Sequence, residues 1–189
     1  NQYLITESAE EDKLKHLEHA EDHVINAGKE GFKHAFNTLH GVHTALTKNK
    51  SEVSLSHKFD GSPSIVFGHN PENGKFFVAS KSAFNANPKL NYSDADIEKN
   101  HGHAPGLVNK LKAALKHLPK VTPKSGVYQG DVMHTPEDIK HKDHKIEFTP
   151  NTISYSVDKN STEGKKVLGS KIGVAVHTAY KGNSMNDLK

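Results

Sequence analysis

The stretch His57-Lys58-Phe59-Asp60-Gly61-Ser62-Pro63-Ser64 decides how the rest of the chain is read. Asp-Gly followed by Ser-Pro is turn chemistry, because glycine admits backbone angles closed to other residues and proline fixes φ. Before it, Val53, Leu55 and His57 alternate with polar residues, the period of a half-buried strand. After it, Ser64-Ile65-Val66-Phe67 reads as a strand, Asn70 to Gly74 as a turn, and Lys75 to Ala79 as the returning strand. The segment predicts an antiparallel hairpin, with a preceding strand that delivers Lys58 to its edge.

Outward from that hairpin the pattern alternates between helical and extended. From Leu14 to Leu46 the apolar spacing is helical: Leu14, Leu17 and Val24 share one stripe, and Phe32, Ala35, Phe36, Leu39, Val42 and Leu46 another. Phe32, Phe36 and Leu39 are expected in the core. Gly28 and Gly31 mark a break between two helices. Asn85 to Asn91 is loop, Ser93 with Asp96 starts a helix, and His101 to Pro105 interrupts it. Leu107, Val108, Leu111, Ala114, Leu115 and Leu118 define a second helix. Val127–Met133, Lys145–Phe148, Thr152–Val157 and Lys171–Thr178 read as strands, with a short helix before the last. The expected class is α+β, with mostly antiparallel sheets and flanking helices. An N-terminal helical segment (1–50) precedes one compact domain (51–189).

Composition narrows the function classes. Of 189 residues, 33% are hydrophobic and 25% charged, which suits a folded domain better than a disordered one. No apolar run approaches the roughly 20 residues a membrane helix needs, and the acidic start lacks a signal-peptide pattern. Without cysteine there is no disulfide or thiolate metal site. A cytoplasmic protein is expected. Net charge is +3, too little for nucleic-acid binding by charge alone.

A lysine that attacks phosphorus must lose its proton and be held rigidly, and a strand end before an Asp-Gly turn holds it. Asp-Gly turns are also ordinary surface features, and Asp60 can simply close its own backbone. The order of motifs adds weight. Lys58-Phe59-Asp60-Gly61 resembles motif I of the covalent nucleotidyltransferases, the superfamily of ATP-dependent DNA ligases, RNA ligases and mRNA capping enzymes. Phe76-Phe77-Val78-Ala79-Ser80-Lys81 is similar to its motif Ia, and Val127-Tyr128-Gln129-Gly130-Asp131-Val132 to motif III, with aspartate for the usual glutamate. The resemblance implies an ATP-grasp-like ligase adenylation architecture and a lysyl-AMP intermediate at Lys58, with ATP and Mg²⁺ as cofactors. It implies that Asp60 and Gly61 line the nucleotide site, that Lys81 contacts phosphate or the nucleic-acid strand there, that Asp131 meets the ribose or the metal, and that Phe148 stacks on the base. His177, at a strand end, either faces the same nucleotide pocket or has a structural role. RNA or DNA ends are the implied partners.

Two motifs depart from that pattern. At motif IV, Ile172 stands where an acid is expected, and Glu163-Gly164 is followed by two lysines in place of a strand. Motif V has no single counterpart among Lys165, Lys166, Lys171 and Lys181. A non-catalytic nucleotide- or nucleic-acid-binding descendant is therefore the rival reading. The whole chain also resembles a group of tailed-phage proteins without an established activity. Leu17-Glu18-His19, Asn70 to Phe77, Asn87 to Tyr92 and Gly173 to Tyr180 carry that likeness, which implies phage protein partners and a virion location as an alternative.

The 15 histidines give a third reading, a metal protein. His19 and His23, one turn apart, suit zinc, though a solvated helix face (His16, His19, His23; His40, His43) explains them as well. His101, His103, His141 and His144 sit in loop-like sequence, as ordinary polar loop residues or as phosphate or nucleic-acid contacts. Lys110, Lys112, Lys116, Lys120 and Lys124 form a basic run, a solvated face or a guide for a phosphate backbone.

Overall fold

The structure is a computed structural model and describes residues 20–48 and 58–189. The chain divides into two compact units, Asn1–Lys58 and Phe59–Lys189. The proposed strand through Val53, Leu55 and His57, the Leu14/Leu17 stripe, and His16 and His19 lie outside the described residues.

In the first unit a helix, α1 (Ala20–Lys48), is broken at Gly28, whose φ of 51° and ψ of −125° leave the helical region. Glycine reaches that conformation without the β-carbon clash other residues meet. The break brings His23 back against His34, with ring centroids 4.6 Å apart. The apolar stripe after the break does not form a core. Phe32 is 57% exposed, and Phe36, Leu39 and Leu46 are also exposed, while Ala35 is buried. Their spacing marks one helix face correctly but carries no information on what covers it.

The second unit is built on two antiparallel sheets. The first runs β2 (Phe76–Ala79), β1 (Ser64–His69), β3 (Val127–His134), β7 (Gly173–Tyr180). Its strand β1 buries four successive residues, Ile65 to Gly68, because both of its faces are covered there. On one face Ile65, Phe67, Val78 and Val132 pack against helices α2 (Asp94–His101) and α3 (Pro105–His117). Val108, Leu111, Ala114 and Leu118 give α3 its buried stripe at helical spacing. Residues on the other face of the strands alternate with these. There Gln129 Nε2 donates to Ser64 Oγ at 3.2 Å, and Tyr180 Oη donates to Gln129 Oε1 at 2.7 Å. Phe84 covers Tyr180 at 5.1 Å.

The hairpin β1–β2 and its Asn70–Gly74 turn form where the sequence predicts them, with Asn70 O accepting from Gly74 N at 2.8 Å. Helix α2 starts at Ser93, whose Oγ accepts from Asp96 N, while the Asp96 carboxylate accepts from Tyr92 N and Ser93 Oγ. This is a capping box with aspartate in the glutamate role. Those bonds, the Ser93 hydroxyl foremost, hold the Asp96 carboxyl below its usual range.

The second sheet is β4 (Lys140–Lys142), β5 (Lys145–Phe148), β6 (Tyr155–Asp158). The strand β4 is a correction to the loop expected around His141. Its three residues are exposed, so it has no apolar signal, and the two-residue turn with Asp143 at φ 47° sets it. A short helix, α4 (Thr162–Gly169), capped by Ser161, precedes β7 as expected. Among the described residues no helix is long and apolar enough to cross a membrane.

Candidate functional site

The turn at Asp60–Gly61 docks onto the end of β3. Ser62 N donates to Val132 O at 3.0 Å and Val132 N to Pro63 O at 2.9 Å, so the ladder begins before β1 itself. Ser64 lies opposite Asp131 in the register. Gly61 fits because it lacks a side chain. A β-carbon there would fall 2.7 Å from Asp131 Cβ, 2.9 Å from Met133 Sδ and 2.9 Å from Val132 O. The turn is therefore pressed against the strand that carries the candidate acid.

Asp60 is not occupied with closing its own backbone. Its N–H donates to Tyr155 Oη at 2.8 Å, and its Oδ2 accepts from Asn151 Nδ2 at 3.1 Å and Thr152 Oγ1 at 3.4 Å. The second sheet and its β5–β6 connection thus clamp the turn. Tyr155, Asn151 and Thr152 carry no motif. Their contacts span more than 90 residues, so no local pattern announces them.

An aromatic row continues inward. Phe59 lies 6.0 Å from Tyr155, Tyr155 stacks on Phe148 at 5.5 Å with an interplanar angle of 16°, and Phe148 meets His134 at 4.9 Å. Phe148 is only 6% exposed. The ring expected to stack on a base is packed on both sides by this chain's own side chains, and Phe59 is the exposed member of the row.

Asp131 is on the sheet face away from α3, with Gln129 and Ser64. A bulge between Gln129 and Gly130 makes His177 the extra residue of β7 and turns it toward the same face. His177 Nε2 comes to 3.7 Å from Asp131 Oδ1, and its Nδ1 shares a 2.8 Å hydrogen bond with Thr178 Oγ1. Both side chains are partly open to solvent. Asp60, Gly61, Asp131 and His177 are thus gathered at one end of the sheet.

Lys81 opens a short 3₁₀ turn after β2, is exposed, and follows Ser80, whose side chain caps the turn. In the register Ala79 faces Val66 and Ser64 faces Asp131. Lys81 therefore lies past the end of the β1–β2 ladder, beyond the strand on the other side of β1 from β3. Lys58 is exposed and joined by a peptide bond to Phe59, which keeps its Cα about 3.8 Å from that of Phe59.

Other candidates are placed elsewhere. His101 is no surface phosphate contact: it ends α2 buried, its Nε2 beside Asn91 Nδ2 at 3.3 Å, and burial, then Lys89 and His103, push its pKa down. Lys110 pairs with Asp138 and donates to Thr135 Oγ1, and Lys112 pairs with Glu98 at 2.6 Å, so these two lysines tie α3 to its neighbours. Burial raises the Asp138 carboxyl, but Lys110 and Thr135 outweigh it and hold it below its ordinary value. Ile172 packs against the helix-side core, so the motif IV position faces away from Asp131. Glu163-Gly164 lies in the first turn of α4, and Lys181 follows β7 at the opposite end of the sheet.

His134 belongs to no motif and no periodic pattern singles it out. It is 4% exposed, its Nδ1 has no hydrogen-bond partner among the described residues, and burial lowers its pKa. Among the described residues no group of three or more histidine, aspartate or glutamate side chains is arranged to hold a metal. One carboxylate, Asp131, fits Mg²⁺ when nucleotide phosphates and waters complete the shell, the usual way that ion is held.

No curated protein and no solved structure matches the chain. A family model does match residues 12–189, nearly the whole length: the chain belongs to DUF6267, a family of unknown function.

Proposed function

We propose that the chain is a ligase-like nucleotidyltransferase that takes AMP onto Lys58. The observation that carries this reading is the docking of the Lys58-x-Asp60-Gly61 turn onto the Asp131 strand, where Gly61 leaves no room for a β-carbon. A nucleophile at the start of a turn fixed at three points keeps its approach geometry, and positioning supplies much of the rate in phosphoryl-type transfer.

In this account the Lys58 amine forms a bond to the α-phosphorus of ATP while the bond to the bridging oxygen breaks and pyrophosphate leaves. The ammonium proton must depart first, and in this account the Asp131–His177 pair is the acid–base couple that takes it up. AMP then passes to a 5′-phosphate on RNA or DNA, and a 3′-hydroxyl displaces it. Lys81 contacts phosphate. Asp131 would hold Mg²⁺, which supplies charge neutralisation on the phosphate oxygens when bound. The ATP-grasp-like architecture, the nucleic-acid ends and a phage origin belong to the same reading.

A second reading, a nucleotide- or nucleic-acid-binding or phage assembly protein without catalysis, is favoured by one observation: Phe148 is buried between Tyr155 and His134, with no open ring face for a base. Incubation with α-labelled ATP and Mg²⁺ separates the two. Label that survives denaturation and is lost in Lys58→Ala supports transfer. A folded protein that binds nucleotide or oligonucleotide but never retains label supports the second reading.

A further inference from the structure

The opposite end of the main sheet holds a cleft of about 490 Å³ between the β1–β2 turn, the segment entering β3 and the residues after β7. That volume is within the range of small-molecule sites. Lys124 and Lys181 line it, with His69, Ser125 and Tyr128, and among the described residues no acidic side chain does. Neither lysine pairs with an acid among the described residues. His69 Nδ1 lies 3.1 Å from Pro123 O, a carbonyl that can only accept, so Nδ1 carries the proton and Nε2 is the nitrogen left for a ligand.

Beside this cleft lies a second, apolar groove of about 360 Å³ that shares Pro123 and Tyr128 with it. Its walls are Leu118 and Val121 on one side, Val174 and Val176 on the other. The bulge at His177 builds it: Val174, Val176 and Ala179 keep one face of β7 although the last spacing is three residues. Helix α3 covers β1 and β3 but stops short of this strip, leaving Val121 77% and Val176 52% exposed. Tyr128 stands at the junction, one side against Phe67 at 6.0 Å and its hydroxyl donating to Ser125 O at 3.2 Å.

We propose that the cleft and the groove together form one binding site for an amphiphilic anion, its apolar body along Val121, Val174 and Val176 and its carboxylate or phosphate head at Lys124 and Lys181. An apolar body alone would explain the groove but not the paired lysines without acids. A free inorganic anion would explain the lysines but leave the valines uncovered. The site is separate from the Asp60–Asp131 end and does not rest on the nucleotidyltransferase reading.

The test is an NMR titration of ¹⁵N-labelled full-length protein with dodecanoate, with dodecyl phosphate in a second arm and 1-decanol as the neutral comparison. The expected result is saturable shifts confined to 69–74, 118–128, 172–182 and Leu188 for one or both anions; the tighter anion identifies the head group. The Lys124→Gln/Lys181→Gln double variant weakens binding about tenfold or more, since charged hydrogen bonds are lost. Ala179→Glu, at an exposed position that does not threaten folding, brings a carboxylate into the cleft and weakens it likewise. Decanol binding as tightly as the anions, an unchanged affinity in both variants, or shifts confined to the exposed face of α1 would overturn the proposal.

Discussion

Replacing Tyr155 by phenylalanine isolates the clamp on the Lys58-x-Asp60-Gly61 turn. The ring stays, so its stack on Phe148 at 5.5 Å and its contact with Phe59 at 6.0 Å are retained. Only the hydroxyl leaves, and with it the acceptor for Asp60 N–H at 2.8 Å. A buried donor left unsatisfied costs about 1–3 kcal/mol. This one is part-buried and water can replace some of the bond, so the loss is set at the low end, about 1 kcal/mol. In a protein of this size that lowers Tm by about 2–4 °C. The local signature is sharper: the Asp60 amide exchanges roughly fivefold faster, because its protection depends on that bond. Thermal melts and amide exchange of the two proteins read both effects. Equal exchange at Asp60 in the variant refutes the claim that Tyr155 holds the turn.

Gly61→Ala forces a β-carbon into Asp131 Cβ and Val132 O; overpacking of this kind costs about 1–3 kcal/mol, read as a lowered denaturation midpoint, and it abolishes any labelling at Lys58. Leu111→Ala, at a fully buried position of α3, costs about 2–5 kcal/mol in urea unfolding and spares nucleotide chemistry until the protein melts. His101 and His134 are held neutral by burial, with folded pKa values below 6.5. The unfolded chain therefore binds protons first, and stability falls as pH drops through about 6.5 toward those lowered values. Denaturation midpoints measured across that window decline in the wild type and decline less in His134→Phe. Asp138 has the opposite chemistry and the same sign of slope, at lower pH. Its depressed carboxyl contributes stability above about 3.8 that is lost as pH falls through the folded value, and Asp138→Asn flattens that limb of the acid-unfolding curve.

The parts legible in the sequence are those set by local chemistry. The Asn70–Gly74 turn, the Ser93 cap and the Leu111 stripe each depend on neighbours within a few residues, and each forms where the pattern puts it. What escaped reading depends on distant partners. The three exposed residues of β4 have no apolar period to betray a strand. Tyr155 reaches Asp60 from the other sheet, and Phe148 reads as a lone aromatic until His134 and Tyr155 close on it. In the stripe from Phe32 to Leu46 the spacing is helical, and yet Phe32, Phe36, Leu39 and Leu46 are exposed, because periodicity fixes a face and not its partner. The meeting of His177 with Asp131 depended on a β-bulge that shifts the register by one residue, a feature with no composition signal.

The claim at the centre of this account is a covalent bond between Lys58 and AMP. The most direct measurement is intact-mass spectrometry of the protein after incubation with ATP and Mg²⁺, followed by peptide mapping. The expected result is a mass gain of one AMP, carried by the peptide that contains Lys58, reversed by added pyrophosphate and absent in Lys58→Ala. A folded protein, cleared of any prior adduct, that gains no mass, or that carries AMP on another residue, would contradict it.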